Sequence, residues 1–317
     1  MTTQPPVAMP AISDCVATYL AEVTPTKAPS TRRHDPYYAR IVLEGLRNCE
    51  EQLLAGPLDA SDIASLGPPE VDLLHRQIGI DAGHRTLANR VLSFVSEVCK
   101  LAERRGWRAA NTNPTTPIRR YNEPRRTRFL HEKQRAAWIR GAREAVLAGE
   151  VTYSAALVSL LMLLAGLRWS SARGLLWSEV DLVHGTIRLS PRTEDRENKA
   201  GDETTIGLSD DVLELLRSTP RYCEYVAPNP ATRRPYTDIR CALERIKARS
   251  GVPLFTPHMG RHSFGTALAE AGLTEAEIGA LLGSTAANAQ RYTHLVGGTQ
   301  RRSIARAAAA VRGGATW

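Results

Sequence analysis

The sequence predicts a mainly α-helical protein with a small antiparallel β-hairpin (α+β), divided into two domains. Its 317 residues are 43% hydrophobic, enough for one large core or a larger and a smaller one. Apolar residues recur at helical spacing in both halves. Between the halves, Asn111 to Pro117 (NTNPTTP) breaks that periodicity. Its prolines bias the backbone to extended conformations and mark a domain boundary.

Residues 1–30 are rich in Thr, Pro and Ala without periodicity, so they read as a disordered tail holding at most one short helix near Ile12 to Val23. Tyr37 to Leu54 carries Ile41, Leu43, Leu46 and Leu53 and stops at Gly56-Pro57, the pattern of one helix and its end. A second helix follows Pro68-Pro69, with Val71, Leu73, Leu74 and Ile78 as its apolar face. Thr86 to Arg105 is the clearest of the three and is closed by Gly106. Together these helices make an all-α module over residues 31–110.

The second half opens near Arg128, with helices over Trp138 to Leu147 and Ser154 to Leu167. The latter is wholly apolar, so it belongs to the core. Arg168 follows it directly. A cation at the end of a buried helix needs an anion, and Glu179 or Asp181 is the structural candidate. Gly185 to Ser190 and Glu203 to Leu208 read as paired strands, with Lys199 to Asp202 at their turn. Further amphipathic helices run over Asp210 to Leu216 and Asp238 to Ser250. Ser263 to Ala271 is a helix stopped by Gly272, and Thr274 with Glu277 forms a capping box. Ala286 to Leu295 sets Tyr292 near the end of a short helix. The Ala-rich Thr299 to Val311 has helix propensity but little reason to fold undocked.

The net charge is +8 and the pI about 9.5, a balance that favours a polyanionic partner without requiring one. Its distribution is more informative. From Leu101 to Arg140 there are eleven Lys or Arg and three Glu, an excess equal to that of the whole chain. Arg119, Arg120, Arg125, Arg126 and Arg128 are its candidate DNA-binding residues; the alternative is a solvated basic linker over 111–126. Five scattered cysteines lack any metal-ligand spacing and read as reduced thiols of a cytoplasmic protein. The N-terminus lacks the basic and apolar regions of a signal peptide, and no apolar run is long enough to span a bilayer.

The chemistry concentrates in Thr256 to Leu295, which opens with His258-x-x-Arg261 and closes on Tyr292. A histidine, an arginine and a tyrosine offered to one site suit attack on a phosphodiester, with the tyrosine as nucleophile. Singly these signals are weak: Arg168 reads as a core salt bridge, Lys199 as a surface charge and Tyr292 as a packed aromatic. In order, GLRxS, LxWxEVD, KxGDxTTIGL, HxxRH, LLG and RYTHL closely resemble the tyrosine recombinases, the phage integrase family of site-specific DNA recombinases. The resemblance runs from about residue 125 to 295. ANRVLSFVSEVCKLAERRGW followed by NP looks, less specifically, like that family's helical (SAM-like) core-binding domain.

That resemblance implies a catalytic domain over 127–298 and a C-terminal segment, 299–317, for subunit contact. Arg168 and Arg261 match the arginines that hold the scissile phosphate, Tyr292 the nucleophile of a 3′-phosphotyrosyl link, His258 a proton-transfer residue and Lys199 the general acid. It implies neither cofactor nor metal. The partners are double-stranded DNA with inverted half-sites, a homo-tetramer on DNA that is monomeric free in solution, and an accessory or partner recombinase, in a bacterial cytoplasm. Two departures stand out. The family's histidine or tryptophan nine residues before the tyrosine is missing, the segment being one residue short, which leaves Ser284 to substitute weakly. Ser171 occupies a position where the family commonly has an acid. A catalytically attenuated DNA-binding relative that regulates a partner recombinase is therefore the alternative function, and a relaxing type IB topoisomerase a third.

Overall fold

The computed structural model describes residues 9–58, 62–123, 128–190, 192–193, 196–197 and 203–293. The chain divides into two compact units, 1–125 and 126–317.

The first unit is helical. Helix α1 (Ile12–Glu22) is the short helix expected within the tail, but it is packed into the unit: Cys15, Val16 and Tyr19 are among its most buried residues. The tail expectation is corrected there, because burying that apolar face offsets the chain entropy that its polar flanks leave uncompensated. Tyr19 packs edge-to-face on Phe94, with ring centroids 5.3 Å apart. A short helix α2 (Pro29–Arg32) leads into α3 (Asp35–Glu44). Tyr37 to Leu54 is not one helix: Gly45, at φ +86°, stops α3 in a conformation that favours glycine. The chain turns back through the hairpin β1 (Leu46–Arg47) and β2 (Leu53–Ala55).

Helix α4 (Pro68–Arg76) is entered at Gly67, whose N–H donates to the Glu70 carboxylate at 3.0 Å, and runs into a π-helical turn over Gln77–Asp81. The long α5 (Arg85–Arg104) supplies Val91, Phe94, Val95 and Val98 to the core. Both helices lie where their apolar spacing and flanking Pro and Gly place them, but of the expected apolar face of the first, Leu73 is exposed and Ile78 falls in the π-helical turn.

The expected linker 111–126 differs. Residues 111–123 pack on the first unit, Ile118 and Tyr121 resting against its core. The Asn89 side chain clamps Tyr121, accepting from its N–H at 3.0 Å and donating to its carbonyl at 2.9 Å. The His75 ring stacks on the Tyr121 ring at 4.4 Å. Arg108, one of the basic segment's cations, is buried and donates to the carbonyls of Ile63 and Leu66, both at 2.7 Å. It is structural, so one of the eleven cations between Leu101 and Arg140 is committed to the fold of the first unit.

In the second unit, α6 (Glu132–Leu147) begins earlier than periodicity suggests, because Gln134 accepts from the His131 N–H at 3.0 Å and caps the start. Helix α7 (Tyr153–Leu164) is buried as expected, Leu157, Val158, Leu161 and Met162 being at most 1% exposed. Trp138 stacks on Phe255 at 4.0 Å beside it. The short α8 (Trp169–Arg173) follows. The sheet has three antiparallel strands, β3 (Val180–Asp181), β4 (Thr186–Leu189) and β7 (Thr204–Gly207), in the order β3-β4-β7. Ile187 pairs with Ile206 on its buried face. Between β4 and β7, β5 (Arg192–Thr193) pairs with β6 (Arg196–Glu197).

Helices α9 (Asp210–Arg217) and α10 (Arg240–Ser250) precede α11 (Pro257–Glu270), α12 (Glu275–Leu281) and α13 (Ala286–Thr293). The Thr274–Glu277 capping box starts α12 as expected. Among the described residues no helix is long and apolar enough to cross a membrane. All five cysteines are free, and burial pushes the Cys15 and Cys99 thiols up to about 11 and about 12.

Candidate active site

Helix α11 begins at Pro257, earlier than the expected Ser263, because Thr256 caps it by accepting from the Met259 N–H at 3.4 Å. His258 and Arg261 therefore both lie in its first turns, one helical turn apart. His258 is exposed and Arg261 buried. A buried guanidinium needs acceptors, and Arg261 donates Nη1 to the Gly166 carbonyl at 2.7 Å and Nη2 to the Leu282 carbonyl at 2.6 Å.

Arg168 sits at the start of α8, half-buried. It does not turn to Glu179 or Asp181. Its Nη2 donates to the Gly283 carbonyl at 3.1 Å. Glu179 instead accepts from the backbone N–H groups of Leu176 at 3.1 Å and Ser190 at 3.0 Å. Burial lowers the Arg168 guanidinium from its ordinary value, and Tyr292 acts in the opposite direction, so the phenol lies within electrostatic reach.

Both arginines thus dock on consecutive carbonyls of the turn that ends α12. Gly283, at φ +55°, forms the left-handed cap, with the Ser284 N–H donating back to the Gly279 carbonyl at 2.8 Å. A Cβ at Gly283 would fall 2.5 Å from the Thr204 methyl, so the turn fits tightly against β7.

Tyr292, on α13, is 5% exposed. It belongs to a cluster with Ala269, Ile278, Leu282 and Ala289. Its ring lies across Gly265 of α11, where a Cβ would come within 2.8 Å of ring atoms. One turn earlier on α11, the His262 ring lies 5.6 Å from the Tyr292 ring and 4.4 Å from the His258 ring, centroid to centroid.

The described residues therefore bring together Arg168, His258, Arg261 and Tyr292, with Ser284 half-buried beside them. Lys199 lies outside the described residues, as do Arg125, Arg126 and the segment 299–317. Arg119, Arg120 and Arg128 are exposed. The first two border a groove of about 760 Å³ on the first unit, with Lys100, Asn111 and Asn113. Sequence reasoning missed His262, Gly265 and the carbonyls of Gly166, Leu282 and Gly283. The signal for His262 was present, as the last residue of HxxRH.

A mostly helical unit followed by an α+β unit that gathers two arginines, a histidine and a tyrosine defines the tyrosine-recombinase class. Residues 128–297 match the phage integrase family, and the chain belongs to it. Solved structures share the fold. The Tn1549 transposon integrase, in complex with a circular intermediate DNA, superposes with a TM-score of 0.68 at 16% identity, over 93% of this chain and 99% of that one. A lambda integrase dimer bound to a COC′ core site gives 0.64 at 17% identity, over 86% and 95%. A lambda integrase tetramer bound to a Holliday junction gives 0.64 at 17%, over 89% and 78%. No curated protein sequence matches this chain.

Proposed function

We propose that the protein is a site-specific DNA recombinase that cleaves and rejoins strands through a 3′-phosphotyrosyl intermediate. The observation that carries this reading is the convergence of Arg168 and Arg261 on the Leu282–Gly283 turn, with Tyr292 on the helix that follows. Guanidinium forks so arranged bind non-bridging phosphate oxygens and stabilise the charge of the pentacoordinate transition state.

In the forward step the Tyr292 oxygen bonds to phosphorus as the bond to the 5′ oxygen breaks. The phenol proton leaves with help from His258, and Lys199 protonates the departing oxygen. A phenol of ordinary pKa about 10 needs such neighbours to attack at neutral pH. The reverse step, with a 5′-hydroxyl from a partner strand, reseals the DNA. Because the ester conserves the energy of the broken bond, the cycle calls for neither ATP nor metal.

Exposed Arg119, Arg120 and Arg128, with Arg125 and Arg126, provide contacts to the duplex backbone. A homo-tetramer on inverted half-sites, with residues 299–317 as a subunit contact, completes the reading.

One observation favours the attenuated alternative: Ser284 carries no ring for the phosphate. A suicide duplex separates the two. A covalent adduct that disappears in Tyr292→Phe supports the recombinase, whereas binding with no adduct supports a regulatory DNA-binding protein. Site-independent relaxation of supercoils would instead mark a topoisomerase.

A further inference from the structure

Helix α11 carries a second histidine, one turn after His258, that the proposed reaction does not use. We infer that His262 is a positioning residue: its ring is the wedge that sets the orientation of the Tyr292 ring relative to His258. The inference rests on the proposed roles of Tyr292 and His258, but its geometry is independent of them.

His262 is 8% exposed, between an exposed His258 and a Tyr292 that is 5% exposed. The His258 and His262 rings meet edge to face at 4.4 Å and 75°, and the His262 and Tyr292 rings lie tilted at 5.6 Å and 55°. Aromatic pairs at these separations hold preferred relative orientations. One turn further along α11 the tyrosine ring also rests against Gly265, whose missing Cβ leaves room for it. The ring therefore lies along two successive turns of α11, against the backbone at Gly265 and beside the imidazole of His262. Leu282 and Ala289 share its cluster. Removing one wall frees the phenol to rotate while leaving the residues proposed for phosphate contact unchanged. Arg261, the cation nearest in sequence, is tied by its guanidinium to Gly166 and Leu282.

The test compares His262→Ala with His262→Phe in the full chain. Single-turnover cleavage of a suicide duplex at saturating DNA is expected to fall by about 10- to 100-fold in His262→Ala, as near-attack geometry is lost. DNA affinity is expected to stay unchanged. His262→Phe, which keeps a ring but no nitrogen, is expected to retain most of the rate. In parallel, ¹⁹F spectra of the 3-fluorotyrosine-labelled protein without DNA, assigned with Tyr292→Phe, read the ring directly. The Tyr292 resonance is expected to shift or broaden in His262→Ala and to persist in His262→Phe. If His262→Phe loses as much rate as His262→Ala, a nitrogen is required and the positioning role is overturned. An unchanged Tyr292 resonance or unchanged rate in His262→Ala overturns it too. If the parent protein forms no adduct, the recombinase reading fails, while the resonance still decides for or against His262.

Discussion

Replacing Gly265 by alanine is expected to separate folding from catalysis. A methyl at this position would sit 2.8 Å from two atoms of the Tyr292 ring and 2.9 Å from a third. Ordinary contact begins at 3.4 Å, so the ring must retreat by at least about 0.6 Å. Two effects on stability oppose each other. Alanine within a helix is favoured over glycine by about 1 kcal/mol, whereas overpacking a buried contact costs about 1–3 kcal/mol. The net change in folding stability is thus between zero and about 2 kcal/mol of destabilisation. Cleavage is more sensitive, because displacing a nucleophile by roughly 1 Å can cost about 100-fold in rate. Thermal unfolding and adduct formation on a suicide duplex measure the two effects on one preparation. The expected outcome is a cooperative melt lowered by at most about 8 °C, with strongly reduced adduct. Adduct at the parent rate would refute the argument that the Tyr292 ring is held against this glycine.

Arg261→Lys is expected to lower cleavage by at least about 100-fold, because an ammonium cannot reproduce a planar fork that spans two acceptors; DNA binding read by gel shift should persist, and near-normal cleavage would contradict the assignment. Burial holds the His75 imidazole below its ordinary value of 6.5. The unfolded state therefore binds more protons in the window below 6.5, and the first unit loses stability as pH falls through it. Thermal midpoints at about pH 7.5 and about pH 5.5 should differ more in the parent than in His75→Gln; equal differences would refute the contribution of the buried His75 imidazole to this pH dependence. Inserting a histidine between Gly283 and Ser284 restores both the ring and the spacing to Tyr292, and should raise adduct yield in the same suicide-duplex assay. No change in yield would mean that the missing ring does not limit cleavage.

Helical periodicity made α5, α7 and α12 legible in the sequence, since each has either an unbroken apolar face or a recognisable cap. The same rule failed at Tyr37 to Leu54. There Gly45 lies inside the apolar spacing, and its left-handed conformation is invisible to a pattern of apolar positions. The linker was misjudged for a related reason. Prolines and charge describe residues 111–123 locally, whereas the bonds from Asn89 to Tyr121 and to Glu123 join positions far apart in sequence. At the candidate site, Arg168, His258, Arg261 and Tyr292 could be named from motif order. What anchors the arginines could not, because backbone carbonyls at Gly166, Leu282 and Gly283 leave no trace in side-chain identity. His262 was visible but had no role until its ring was found between two others.

The central claim is that Tyr292 forms a covalent bond to DNA at a phosphate held by Arg168 and Arg261. Its most direct measurement is mass spectrometry of protein trapped on a nicked suicide duplex carrying the chain's own recombination site. The expected result is one phosphotyrosyl peptide containing Tyr292, absent in Tyr292→Phe. An adduct on any other residue, or one that survives Tyr292→Phe, would contradict the account.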